Sequence, residues 1–198
     1  MSQERTERRG GERRRERPEI PPERQAAARR QIRTLGDPVL RESGRPVESF
    51  DADLAALSRR MIDIMHDAPG VGLAATQLGV VQRVLVYDLD GEHPVTLVNP
   101  KIVWSSRDTD EADEGCLSVP GVTVPVERAV SIRVRARDVQ GRPLDFEADD
   151  MEARVIQHES DHLDGVLILE RTTRAERARA LRELREREIE AVTAGAGL

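Results

Sequence analysis

The feature that most constrains this chain is the pentapeptide His158-Glu159-Ser160-Asp161-His162. On an α-helix, residues four apart lie one above the other on a single face, so two imidazoles at this spacing can share one metal ion. In a strand the same two rings would stand about 13 Å apart and could not. The pattern therefore calls for a helix, packed so that this face meets a further ligand. The flanking sequence agrees, because Asp149 or Asp150 can cap a helix that runs toward Leu163 and ends at Gly165. Two of only four histidines in the chain fall at this spacing.

So short a pattern also arises by chance, and the third ligand has to be found. Catalytic metal sites usually keep three protein ligands and leave the fourth position open. Downstream of His162 no His or Glu stands out. Upstream lies Cys116, the only cysteine, within Glu114-Gly115-Cys116-Leu117-Ser118. A solitary cysteine on its own reads as a small buried apolar residue. Beside a helix that lacks its partner, Cys116 is the better ligand candidate: a thiolate and two neutral imidazoles leave a divalent ion with residual positive charge, able to acidify a water. Glu159, next to the first imidazole, can lean over the open position and take the proton of an attacking water. Asp161 and Glu114 read equally well as groups that orient the histidines and as surface charge.

Leu54, Leu57, Met61, Ile64 and Met65 recur at three-and-four spacing between Asp51 and Asp67, before the stop at Ala68-Pro69-Gly70, and predict an amphipathic helix. Extended segments follow over Arg83 to Asp88, Val95 to Trp104, Cys116 to Val119 and Val122 to Arg137, the last with strict alternation around Ile132, Val134 and Ala136. A turn at Gln140-Gly141-Arg142 leads to a further strand near Leu144 to Glu147. From Thr173 to Ala191, Arg and Glu alternate around a thin stripe of Ala178, Leu181 and Leu184, which predicts a third, largely exposed helix. The expected class is α+β, with mostly antiparallel strands around a central helix that carries the histidines.

Residues 1–30 hold ten Arg against six Glu and almost no apolar periodicity, with Gly-Gly and Pro-Pro breaks, and predict a disordered extension. Residues 31–170 form the expected catalytic domain, and 171–198 a charged C-terminal helix and tail. The formal net charge is −6, so the extension's +4 leaves about −10 on the rest. An acidic body argues against sequence-specific nucleic-acid binding, which needs a basic face. No apolar run approaches the roughly 20 residues of a membrane span, and the amino terminus lacks the apolar centre of a secretory signal. With one cysteine and no membrane segment, a cytoplasmic protein is expected.

Gly70-Val71-Gly72-Leu73-Ala74-Ala75-Thr76-Gln77 does not qualify as a dinucleotide fingerprint, since a helix precedes it and a strand follows. Its small residues would let the backbone pass close to a substrate, with Gln77 offering an amide donor; a tight connection without a ligand is the alternative. Together, GVGLAATQ, EGCLS and QHESDH, in this order and spacing, resemble the peptide deformylases, and the similarity runs from about Ile32 to Leu169. The resemblance implies a hydrolase that removes the formyl group from N-formylmethionyl peptides and releases formate. It implies metal ligation by Cys116, His158 and His162, with Glu159 as acid and base. It further implies that Gln77 and the backbone N–H of Leu117 stabilise the oxyanion, and that Gly70 and Gly72 lie along the substrate backbone. Fe(II) is the metal implied, with Zn(II), Ni(II) or Co(II) as substitutes. Some members carry an Arg soon after EGCLS, where Gly121-Val122-Thr123 stands here. Transient association with the ribosome is a further expectation. The alternative reading is a zinc endopeptidase using the same histidine pair, and a third is a catalytically silent ribosome-binding protein.

Overall fold

The computed structural model describes residues 20–195. Its first helix, α1 (Pro22–Arg29), is followed by a 3-10 turn (Pro38–Arg41), the helix α2 (Ala52–Asp67) and the strands β1 (Gly72–Ala74), β2 (Val84–Tyr87) and β3 (Val95–Ser105). Next come β4 (Thr109–Cys116), β5 (Val119–Ala129), β6 (Ser131–Arg137) and β7 (Pro143–Asp149), then α3 (Asp150–Leu163), a 3-10 turn (Ile168–Glu170) and α4 (Arg174–Gly195). Two antiparallel sheets result, one of five strands in the order β1-β2-β3-β6-β7 and one formed by β4 and β5. The α+β class expected from the sequence is the class observed.

The sheet is buried on both faces where it carries the most apolar sequence. In β2 the side chains alternate between two cores. Val84 and Val86 join Leu54, Met61, Ile64 and Met65 of α2, whereas Leu85 and Tyr87 join Ala153, Ile156 and Leu163 of α3. The helix α3 is therefore central, with one side on the five-stranded sheet and the other toward β4 and β5, where the Gln157 amide bonds both the N–H and the carbonyl of Ala129. Asp51 caps α2 through the amides of Asp53 and Leu54, at 3.1 Å each. Asp149 occupies the N-cap of α3 but makes no side-chain capping bond. Beyond α3, Gly165 has φ +74°, and any Cβ there would stand 2.6 Å from the Arg41 carbonyl oxygen, so glycine is required both by conformation and by space.

Three expectations need correction. The extension of residues 1–30 is not without structure in its last part: Pro22–Arg29 is helical, Ala28 is buried against α2, and Arg24 pairs with Asp67 at 2.6 Å. Residues 1–19 lie outside the described residues. The segment from Val122 to Arg137 is two strands in different sheets, parted at Val130, whose amide bonds Asp108 and whose carbonyl accepts from Asp150. Nothing in the periodicity marks that break, because the buried side chains Val122, Val124 and Val126 keep the same parity as Ile132 and Val134. Finally, Cys116 to Val119 is not one strand but the turn joining β4 to β5. β4 itself, Thr-Asp-Glu-Ala-Asp-Glu-Gly-Cys, has no apolar alternation to reveal it and exists through its ladder with β5.

Candidate active site

His158 and His162 project from one face of α3 with their rings edge to face, centroids 5.1 Å apart. Cys116 reaches them from the end of β4. The ladder with β5 shifts register between Gly115 and Cys116, and this irregularity frees Cys116 from the regular pairing. Its Sγ lies 3.2 Å from His162 Nε2. The ligand atoms of Cys116, His158 and His162 all fall within 4.8 Å of one another, the one such group among the described residues.

The chemistry of this trio fits a divalent metal. His158 Nδ1 lies 2.9 Å from Glu114 Oε2, a bond that fixes Nδ1 as donor and turns the Nε2 lone pair toward the trio. Burial pushes the Cys116 thiol up, but His162 and His158 outweigh it and hold the thiol well below its ordinary value. Burial likewise pulls His158 down, yet its bonds to Cys116 and Glu114 keep it well above the usual histidine range. The chain by itself thus favours the thiolate, the form that binds a metal, balanced by a charged His158 that must release its proton for Nε2 to bind an ion.

Sequence reasoning left Glu114 and Asp161 open and passed over Arg128 altogether. All three are buried. Arg128 clasps both oxygens of Glu114, at 3.0 and 2.9 Å, and reaches Asp161 at 2.6 Å. Arg154 adds a bond to Glu114 at 2.8 Å, and Arg171 holds Asp161 from the start of the C-terminal segment. Glu114 therefore orients a ligand histidine and is itself oriented. Parity places Arg128 inside, since it continues the inward register of Val122, Val124 and Val126, but nothing local names the acids it meets.

Burial pushes Glu114 up, but His158 and Arg128 bring it down to about 2. A carboxylate depressed on folding contributes stability above its ordinary pKa and loses it as pH falls through the folded value. Arg128→Met should strip this buried charge of its two-pronged partner, leaving Arg154 and His158, and cost about 3–5 kcal/mol at neutral pH. The difference from wild type should narrow as pH drops from about 4.5 toward about 2. Urea unfolding of the metal-free proteins across that range checks both parts; a pH-independent difference would remove Glu114 from the explanation.

Glu159 is 4% exposed. Burial raises its pKa to about 7, against the opposing pull of His158 and His162. Its Oε2 has no hydrogen-bond partner among the described residues. Gln77, at the end of the glycine segment, is fixed at both ends of its amide. Oε1 accepts from Ala74 N–H at 2.8 Å, which directs Nε2 to Ser118 Oγ at 3.1 Å and toward Cys116 Sγ at 3.9 Å. Ser118 was not singled out in the sequence. Gly70 and Gly72 prove to be close approaches within the chain: a Cβ on Gly70 would touch Leu117 Cδ1 at 3.0 Å, and one on Gly72 would meet Glu159. Leu117, half-buried in the turn, completes the group. Every sequence-predicted residue is thus in one neighbourhood, formed by β1 with the residue stretch before it and the 3-10 turn Ala75–Leu78 after it, the end of β4 with the β4–β5 turn, and α3.

The family model for polypeptide deformylase matches residues 29–178. The chain is 48% identical to a peptide deformylase of Acidothermus cellulolyticus over 161 residues, covering 80% of this chain and 87% of that protein. Its fold is similar to the crystal structure of a Legionella pneumophila peptide deformylase, with a TM-score of 0.76 and 40% identity over 81% of this chain and 96% of that one. A peptide deformylase from Synechococcus elongatus in complex with actinonin gives a TM-score of 0.75 and 42% identity, over 77% and 85% of the two chains. With the cysteine, the histidine pair and the glutamate assembled as described, the chain belongs to the peptide deformylase family, metal-dependent enzymes that remove the N-terminal formyl group from new polypeptides.

Proposed function

We propose that Cys116, His158 and His162 hold the metal of this deformylase, that Glu159 carries the proton, and that Gln77 Nε2 and the Leu117 N–H stabilise the oxyanion. The observation that carries this reading is the buried Glu159 carboxylate beside the trio, its Oε2 without a hydrogen-bond partner among the described residues. The ion, when bound, polarises the formyl group and acidifies a water. Glu159, whose carboxyl burial pushes up, accepts a proton during attack and returns it to the leaving amine. Gln77 is held by Ala74 and Ser118, so its donor is aimed before the negative charge develops. Gly70 and Gly72 line the path of the substrate backbone. The endopeptidase alternative is not favoured by relatives that are deformylases over most of their length.

Fe(II) is the proposed resident ion, with Zn(II), Ni(II) and Co(II) able to replace it; a soft thiolate with two imidazoles suits all four. Anaerobic purification followed by metal analysis tests this. Iron at about one ion per chain, matching the trio's single site, is the expected result, and a zinc-filled protein with no iron would overturn it.

The proposed catalytic unit is residues 31–170, with 171–198 as a charged helical appendage. The appendage is not detached, since Ala180 of α4 is buried with Val122 and Val124 of β5. No described helix is long and apolar enough to cross a membrane, and a cytoplasmic enzyme acting on nascent chains is proposed. The +4 charge of residues 1–30 suits a weak, salt-sensitive contact with the ribosome. Deleting residues 1–19, which hold seven Arg against five Glu and so about half of that charge, should leave kinetics on a short formyl peptide unchanged and lower co-sedimentation with ribosomes at low salt. A truncated protein that fails on the short peptide would contradict the first part, and equal sedimentation would contradict the second.

A further inference from the structure

Gly72 lacks a side chain for a reason its backbone does not supply. It is absent from the positive-φ glycines, which are Gly36, Gly79, Gly91, Gly121, Gly141 and Gly165 among the described residues. It lies in β1, paired with Tyr87 of β2, in a conformation open to any L-residue. What is missing is space. A Cβ at this position would stand 2.4 Å from Glu159 Oε1 and 2.9 Å from both its Cδ and its Cγ.

Neither backbone can give way. β1 is tied to β2 through Gly72, Leu73 and Ala74. Leu73, Ala74 and Ile156 of α3 are all fully buried, so strand and helix are held by the cores on either side. The Glu159 side chain is the one part that could move, and it is itself buried.

We infer that Gly72 is a positioning residue for Glu159: its bare Cα is the seat against which the glutamate side chain rests. The inference builds on the reading of Glu159 as the proton carrier and differs from any pairing of Gly72 with the substrate backbone. Loss of substrate pairing would be felt in KM, whereas a displaced carboxylate is felt in kcat.

The test is a double-mutant cycle of Gly72→Ala and Glu159→Asp in the metal-loaded enzyme, with kcat, KM and metal content measured for each variant. In the wild-type background Gly72→Ala should lower kcat by about 100-fold, the cost of a misplacement near 1 Å, with metal retained and KM changed less than about threefold. Aspartate is shorter by one methylene and vacates the space a methyl at position 72 would fill. In the Glu159→Asp background the same substitution should therefore cost less than about threefold in kcat. Equal costs in both backgrounds, or a loss confined to KM, would overturn the inference. Glu159→Asp with wild-type kcat would instead overturn the reading of Glu159 beneath it. If Gly72→Ala fails to fold, the double variant decides: recovery of a cooperative thermal transition places the clash at Glu159, and continued failure places it at backbone and contradicts the proposal.

Discussion

Glu159→Gln is expected to leave the protein folded and able to take up metal while its turnover falls by about 10²–10⁴-fold, the range that general acid–base catalysis supplies. The amide has the shape of the carboxylate and fits the same seat over Gly72, so little should change in packing. It cannot accept the proton that Glu159 takes up. In the metal-free chain burial raises this carboxyl to about 7, a push toward the protonated form that favours a group which first accepts and then donates. Formate release by a variant with measured metal content checks this. Near-normal turnover would contradict the role, and loss of metal would show that Glu159 supports the site rather than the proton transfer.

Cys116→Ala is expected to lower metal affinity by more than about 100-fold, since even the removal of a group that orients a ligand commonly costs 10–100-fold. Two imidazoles would remain, held as before by α3 and Glu114. Without the thiolate they lack a third donor and carry no charge to balance the ion. Competition with a chelator, read as retained metal, measures the change. Full occupancy at unchanged affinity would return Cys116 to the role of a small buried residue.

The clearest elements in the sequence were those in which one face meets one core, although β2, whose side chains serve two cores, was also readable as a short apolar run. α2 and α3 announce themselves by helical spacing, and β6 by strict alternation, because in each the apolar residues answer to a single partner. β4 was silent because its side chains are acidic and largely exposed. Its place is set by backbone pairing with β5, which leaves no trace in composition. α1 was missed for a related reason: it buries mainly Ala28 and is otherwise charged.

Within the site, the residues that carry chemistry were readable from rare types at fixed spacing, namely the lone cysteine, the histidine pair and the glutamate between them. The residues that hold those groups in place were not. Arg128 and Ser118 act through long-range bonds, to Glu114 and Asp161 in one case and to Gln77 in the other, and no local pattern encodes such partners. Gly72 was noticed, but as a neighbour of substrate; its closeness to Glu159 is a property of the packed chain alone.

The most direct test of the central claim is product analysis with the metal-loaded protein on a peptide offered both with and without an N-terminal formyl group on its methionine. The expected result is formate in equal amount to newly freed amino termini from the formylated peptide, no cleavage of either peptide at an internal bond, and loss of the reaction on chelation. Absence of formate from a fully metal-loaded protein, or internal cleavage that does not depend on the formyl group, would contradict it.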